Sequence, residues 1–246
     1  KYFIGNWKMF GDFGSFKIIH QIHKFCVKSK KNVKKNKIVL CVPSTLIHFF
    51  AKKLKSNFVS IGAQNCHHNP SYGPFTGALN ASMIKKAGAK YVILGHSENR
   101  IEGESDEDIN KKIRSALNKN LKVVFCIGET LKEKRKKNTF SVLNRQINKG
   151  LKSIKNLNNI IIAYEPVWSI GTGLIPKDKD LEFNVIKIKK ILSKKTKLKL
   201  PILYGGSVNN KNISNLKNII GINGFLVGSA SRSSKKFIDI IKKTIN

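Results

Sequence analysis

Short apolar segments recur along the chain, and between them lie longer stretches whose apolar residues return every three or four positions. Eight of the short segments have strand character: Phe3 to Gly5, Lys37 to Val42, Phe58 to Ala63, Tyr91 to Leu94, Val123 to Ile127, Ile160 to Tyr164, Ile202 to Tyr204 and Gly224 to Val227. Segments of helical period separate them, for example Ser105 to Asn118 after the fourth and Lys179 to Lys195 after the sixth. Strands that alternate with helices predict a parallel sheet with helical crossovers, and eight such repeats close a barrel. No linker or low-complexity tract interrupts the series, so one domain over residues 1–246 is expected.

Composition adds limits to this picture. The chain is 41% hydrophobic and 9% aromatic, ample for a core, and no stretch approaches the 18 or so apolar residues of a membrane span. The strand-like Tyr2-Phe3-Ile4 begins almost at the first residue and leaves no room for a leader, so the expectation is a cytoplasmic protein. Cys26, Cys41, Cys66 and Cys126 form no Cys-x-x-Cys pair, which points to reduced thiols. In Cys66-His67-His68, adjacent histidines are expected to point in different directions, and no third ligand is spaced to help, so no metal is expected.

A charge of +33 would ordinarily suggest nucleic acid. The lysines, however, come in short scattered runs, such as Lys30-Lys31, Lys34-Lys35, Lys134 to Lys137 and Lys194-Lys195, and no nucleic-acid-binding motif accompanies them. In a chain also rich in Ile and Asn, this reads as a solvated surface that attracts anionic substrates.

Barrels of this kind gather their chemistry where strands end, so those junctions carry the functional signal. The first strand runs into Gly5-Asn6-Trp7-Lys8-Met9, which places Asn6 and Lys8 on one face if the chain stays extended. The fourth ends Gly95-His96-Ser97-Glu98, with His96 at the mouth and Ser97 able to cap a following helix. A lone histidine there is more often a core residue satisfied by backbone. Six of the 14 acidic residues lie between Glu98 and Asp108, and Asp178, Asp180 and Glu182 form another group; both suit helix N-termini. Glu165 does not. It follows Ile160-Ile161-Ile162-Ala163-Tyr164 and precedes Pro166, a carboxylate at the end of an apolar strand, where burial favours taking up a proton, as a general base must. Pro166 also holds residue 165 away from helical geometry. Trp168-Ser169-Ile170-Gly171-Thr172-Gly173 has the bulky anchor and permissive residues of a hinged lid. Tyr204-Gly205-Gly206-Ser207 and Val227-Gly228-Ser229 can aim backbone N–H groups at a phosphate.

Together with Cys126-Ile127-Gly128-Glu129-Thr130, Tyr164-Glu165-Pro166-Val167-Trp168 and Gly224-Phe225-Leu226-Val227-Gly228, these motifs resemble the triosephosphate isomerase family, in order and over nearly the whole chain. The resemblance implies a (β/α)8 TIM barrel, eight parallel strands surrounded by helices. It also implies a glycolytic and gluconeogenic isomerase that interconverts dihydroxyacetone phosphate and D-glyceraldehyde 3-phosphate through an enediolate, without metal or organic cofactor. Glu165 would move the proton between carbons, His96 would polarise the carbonyl, and Lys8 and Asn6 would stabilise the developing charge. Gly171, Ser207, Gly228 and Ser229 would hold the phosphate while the lid excludes water. Another phosphosugar barrel would share the phosphate loops, but not the set of Asn6, Lys8, His96 and Glu165.

The family is dimeric, and Thr76 matches the threonine that reaches the neighbouring chain's site. The long segment from Asn65 to Gly77, with its aromatics, independently suggests an interface. Departures from the family pattern stand at Ala78 and Asn99, usually an acid and an arginine, which often pair across that interface. Others are Phe10, usually Asn, Leu174-Ile175-Pro176 at the second lid hinge, and Ser229 for a frequent glycine.

Overall fold

The strands of the molecule are apolar over most of their length, because a parallel sheet wrapped in helices is dry on both faces; Lys37, Ser60 and Lys122 are the polar exceptions toward the strand starts. The computed structural model describes residues 1–245, and the last residue of the expected domain, Asn246, lies outside them. The strands are β1 (Tyr2–Asn6), β2 (Lys37–Cys41), β3 (Val59–Ala63), β4 (Tyr91–Leu94), β5 (Lys122–Ile127), β6 (Ile160–Tyr164), β7 (Ile202–Tyr204) and β8 (Gly224–Val227). Each pairs in parallel with the next, and β8 pairs with β1, which closes the barrel. The expected segments match these to within a residue at either end, and the chain is a (β/α)8 barrel.

Alternation along each strand divides the core in two. Ile4, Val39, Ile93, Val124, Ile161 and Leu203 point inward and fill the barrel with bulky apolar side chains. Phe3, Leu40, Val92, Phe125, Ile162 and Phe225 point outward and meet the surrounding helices. The inward register has a chemical consequence. It carries Asn6 at the end of β1 and Glu165 just beyond β6 toward the same mouth.

Some of the clustered acidic residues sit where helix N-termini favour carboxylates, whereas Glu102 ends a helix, Glu104 lies between two helices and Glu182 lies beyond a first turn. Ser105 accepts a hydrogen bond from the Asp108 N–H as the cap of the helix Asp106–Asn118, whose first turn carries Asp106, Glu107 and Asp108. Asp178 and Asp180 lie in the first turn of the helix Asp178–Ser193, whose cap residue Lys177 makes no side-chain hydrogen bond. One expected cap is different: His96, not Ser97, is the cap residue of the helix Ser97–Ile101, and its ring accepts from the Glu98 N–H. Ser97 already has a place in the first turn, so it is the imidazole nitrogen that meets the free amide.

Candidate active site

β1 stops at Asn6, and the chain does not stay extended to Lys8 as the spacing suggested. Lys8 takes a left-handed backbone, φ 56°, which costs a side-chain-bearing residue on the order of 1–3 kcal/mol. Hydrogen bonds from around the barrel hold it there. The Gln64 amide donates to the carbonyls of Lys8 (2.9 Å) and Cys41 (3.1 Å), the Asn6 side chain accepts from the Lys8 N–H (3.1 Å), and the Arg232 guanidinium donates to the Trp7 carbonyl (3.0 Å). The Lys8 ammonium thereby reaches Glu98 at 2.5 Å. Burial opposes ionisation of Glu98, but the hydrogen bond from Lys8 and the neighbouring positive charges outweigh it, and its carboxyl titrates below the usual range.

His96 and Glu165 face each other across the mouth, both buried, with Nε2 of the ring 3.6 Å from Oε1 of the carboxylate. Nδ1 of His96 accepts from the Glu98 N–H at 3.2 Å, which leaves Nε2 as the ring nitrogen turned toward Glu165 and free to present a proton to the cavity. At 3.6 Å the pair does not form a direct hydrogen bond. Oε2 of Glu165 has no hydrogen-bonding partner among the described residues. Two glycines make the carboxylate's position possible. A Cβ on Gly205 would lie 2.7 Å from Cγ of Glu165, and one on Gly128 would lie 1.8 Å from its carbonyl oxygen.

The segment after Glu165 is held at its start by a buried carboxylate. Glu129 accepts from the Trp168 indole N–H at 2.9 Å and the Tyr164 hydroxyl at 3.1 Å, while the Lys134 ammonium sits 3.4 Å over the Trp168 ring. Burial lifts the Glu129 pKa above its usual value, against those hydrogen bonds. Ser169 meets the Tyr204 hydroxyl at 3.0 Å, and Thr172 donates to the Trp168 carbonyl at 3.2 Å. Gly171 and Gly173 turn the tip with φ of 73° and 79°, a conformation open to glycine.

A cavity of about 130 Å³ opens at this mouth. It brings together Asn6, Lys8, His96, Glu165, Gly171, Ser207, Gly228 and Ser229, with Ile170 closing one side. The N–H groups of Gly171, Gly228 and Ser229 have no backbone or side-chain acceptor among the described residues, while that of Ser207 donates to Ser169 at 3.4 Å. Trp168, Ser169, Thr172 and Gly173 flank the cavity in sequence without lining it. Thr76 is not part of it; it is exposed in the segment between β3 and the helix Ala81–Lys86. A larger cavity of about 670 Å³ near the strand starts, lined by Lys37, Lys90 and Lys122 among others, holds no carboxylate or imidazole among the described residues. The chemistry therefore gathers at the smaller one.

Among the described residues, no group of three or more His, Cys, Asp or Glu is placed to hold a metal ion. His67 and His68 do not diverge as adjacent residues were expected to. Their rings stack 4.3 Å apart at 28°, because the irregular segment that carries them is not an extended strand. Four contributors carry no functional signal in the sequence pattern: Gln64, Glu98 as partner of Lys8, Gly205 as the floor under Glu165, and Arg232. Glu98 and Gly205 lie within the strand-end motifs, whereas Gln64 and Arg232 come from distant parts of the chain with no local signal.

Known proteins place this geometry in a family. The family model described as triosephosphate isomerase matches residues 1–244. The triosephosphate isomerase of Saccharomyces cerevisiae is 40% identical over 243 residues, which cover 96% of this chain and 95% of that protein. That of Dictyoglomus thermophilum is 37% identical over 252 residues, covering 98% of each. The crystal structure of triosephosphate isomerase from Bartonella henselae superposes with a TM-score of 0.88 at 34% identity, over 98% of both chains. With a closed eight-stranded parallel barrel and relatives matched end to end, the chain belongs to the triosephosphate isomerase family.

Proposed function

We propose that Glu165, His96, Lys8 and Asn6 carry out triose phosphate isomerisation in this chain. The reaction itself, interconversion of dihydroxyacetone phosphate and D-glyceraldehyde 3-phosphate, follows from family membership. The observation that carries the residue roles is the buried pair of Glu165 and His96, 3.6 Å apart and on one cavity with three unpaired N–H groups.

Glu165 removes a proton from the carbon beside the carbonyl and returns it to the neighbouring carbon. His96 donates its Nε2 proton as a hydrogen bond to the carbonyl oxygen and moves protons between the two oxygens of the enediolate. Lys8 and Asn6 stabilise the negative charge that develops there, where fixed donors in a dry site act most strongly. Backbone N–H groups of Gly171, Ser207, Gly228 and Ser229 hold the phosphate, and the segment from Trp168 to Gly173 covers the intermediate. No metal or organic cofactor enters this reading.

The working form is a homodimer in which Thr76 reaches the neighbouring chain's cavity. The exposed Tyr72 and Phe75 beside it support that arrangement, and Ala78 and Asn99 leave it without one commonly found ion pair. Residues 1–246 act as one domain. Among the described residues no helix is long and apolar enough to cross a membrane, and a glycolytic and gluconeogenic role in the cytoplasm is the companion expectation. The +33 charge serves as surface and not as a nucleic-acid site.

Glu165→Gln tests the roles. It should leave inhibition by inorganic phosphate near the wild-type value while turnover falls by at least about 10²- to 10⁴-fold. Unchanged turnover in a folded variant would remove Glu165 from the mechanism.

A further inference from the structure

Among the described residues, Arg232 is the one charged residue lining the cavity that has no part in the reaction above. The charges around it do not balance for an anionic substrate. The Lys8 ammonium is compensated by Glu98 at 2.5 Å, and the Glu165 carboxylate is buried in the same cavity. A phosphate entering this space meets a carboxylate and a cation already paired. Arg232 makes no direct ion pair among the described residues; it shares the field of the Glu98 carboxylate with Lys8, so one carboxylate faces two cations there.

Its side chain is also held in place. Nε donates to the Trp7 carbonyl at 3.0 Å, and the guanidinium carbon lies 5.2 Å from the centre of the Phe10 ring. Phe10 in turn packs edge-on against the buried Trp7, with ring centres 5.9 Å apart at 74°. The two anchors occupy Nε and one face of the guanidinium. Nη1 and Nη2 have no hydrogen-bond acceptor in the chain among the described residues, although each carries two protons. Arg232 ends the short helical turn Ser229–Arg232, whose first residue presents one of the unpaired N–H groups. A planar fork already held still loses little freedom on meeting phosphate oxygens, and its geometry suits them.

We propose that Arg232 is a substrate-binding residue whose guanidinium, braced by Phe10 and the Trp7 carbonyl, receives the phosphate of triose phosphates and selects phosphate monoester dianions. This rests on the isomerase reading and adds to it a side-chain cation beside the backbone donors. It also gives Phe10 a purpose: an aromatic face there steadies the arginine as an asparagine would not.

The test compares wild type, Arg232→Gln, Arg232→Lys and Phe10→Leu. Its readouts are KM and kcat for D-glyceraldehyde 3-phosphate, the competitive inhibition constant of inorganic phosphate at low and high salt, and the melting temperature. Arg232→Gln should raise KM and the phosphate inhibition constant by about tenfold at low salt, with a much smaller change in kcat. Arg232→Lys should recover most of that loss, and added salt should narrow the difference. Phe10→Leu keeps the charge and loses the brace, so it should give a smaller loss of the same kind, which keeps the proposal testable if Arg232→Gln fails to fold. Wild-type KM and phosphate inhibition in Arg232→Gln would overturn the proposal. So would equal losses in the Gln and Lys variants, or a loss confined to kcat, since misplacing Lys8 through the broken Trp7 bond would do that. A wild-type protein without isomerase turnover would instead overturn the reading on which the proposal rests.

Discussion

Gly128 lies so close behind Glu165 that a Cβ at residue 128 would sit 1.8 Å from the Glu165 carbonyl oxygen. Gln146 grips the Gly128 peptide from the other side, accepting from its N–H at 2.9 Å and donating to its carbonyl at 3.1 Å. The backbone of the proposed base is therefore trapped between β5 and its own strand. Gly205 bounds the side chain instead, with a virtual Cβ 2.7 Å from Cγ and 3.1 Å from Oε1.

The two contacts predict different failures. Gly128→Ala must move backbone, and should cost about 1–3 kcal/mol of stability or more, together with activity. Gly205→Ala meets a side chain that can swing aside, so it should melt close to wild type while kcat falls by about tenfold or more, a loss typical of a displaced catalytic group. Denaturant unfolding and steady-state kinetics on both variants check the contrast. Equal loss of stability in the two would contradict it.

Glu129 sets a pH dependence whose sign can be worked out. Burial raises its folded-state pKa above the 4.5 expected of the unfolded chain, so the folded state holds the proton more readily. Its ionisation therefore disfavours folding at neutral pH, and that penalty shrinks as pH falls through the raised value toward about 4.5. Glu129→Gln keeps an acceptor oxygen for the Trp168 indole and has no proton to lose. The stability of this variant relative to wild type should rise with pH from about 4.5 toward neutrality, as measured by urea unfolding at several pH values. A difference that falls with pH would contradict the assignment.

Burial also silences the thiols. Cys26, Cys41, Cys66 and Cys126 are all free and buried, and burial pushes the Cys26 and Cys66 thiols up to about 12. Cys41 and Cys126 are raised as well, by the same cause. Since the thiolate is the reactive species, iodoacetamide at pH near 8 should leave the native protein unmodified over the time in which it labels all the cysteines in urea. Mass spectrometry after a timed quench reads the result. Rapid labelling of the native protein at any of these positions would contradict the burial.

Much of the barrel was legible because its signals are local. A strand buried on both faces must be apolar throughout, so Ile160-Ile161-Ile162-Ala163-Tyr164 and Tyr91-Val92-Ile93-Leu94 announce themselves within a few residues. Glu165 was legible for the same reason, as a carboxylate where such a run ends. The cap at Ser97 is not legible in the sequence, because it depends on which group meets the Glu98 amide, and the His96 ring gets there. The place of Lys8 is not legible either, because two-residue spacing implies one face only while the chain stays extended, and β1 ends at Asn6.

By itself, then, the sequence determined the order of strands, the apolar segments that face both ways, and which polar groups stand at strand ends. These depend on hydrophobic period and on the few bonds between neighbouring residues. Only the tertiary structure decided how those groups meet. Gln64 reaches the Lys8 carbonyl across 56 positions, Lys8 reaches Glu98 across 90, and Arg232 reaches the Trp7 carbonyl across 225. The reason is closure: once β8 pairs with β1, residues at opposite ends of the chain share one mouth, and their charges and hydrogen bonds are set by that shared space and not by the residues beside them.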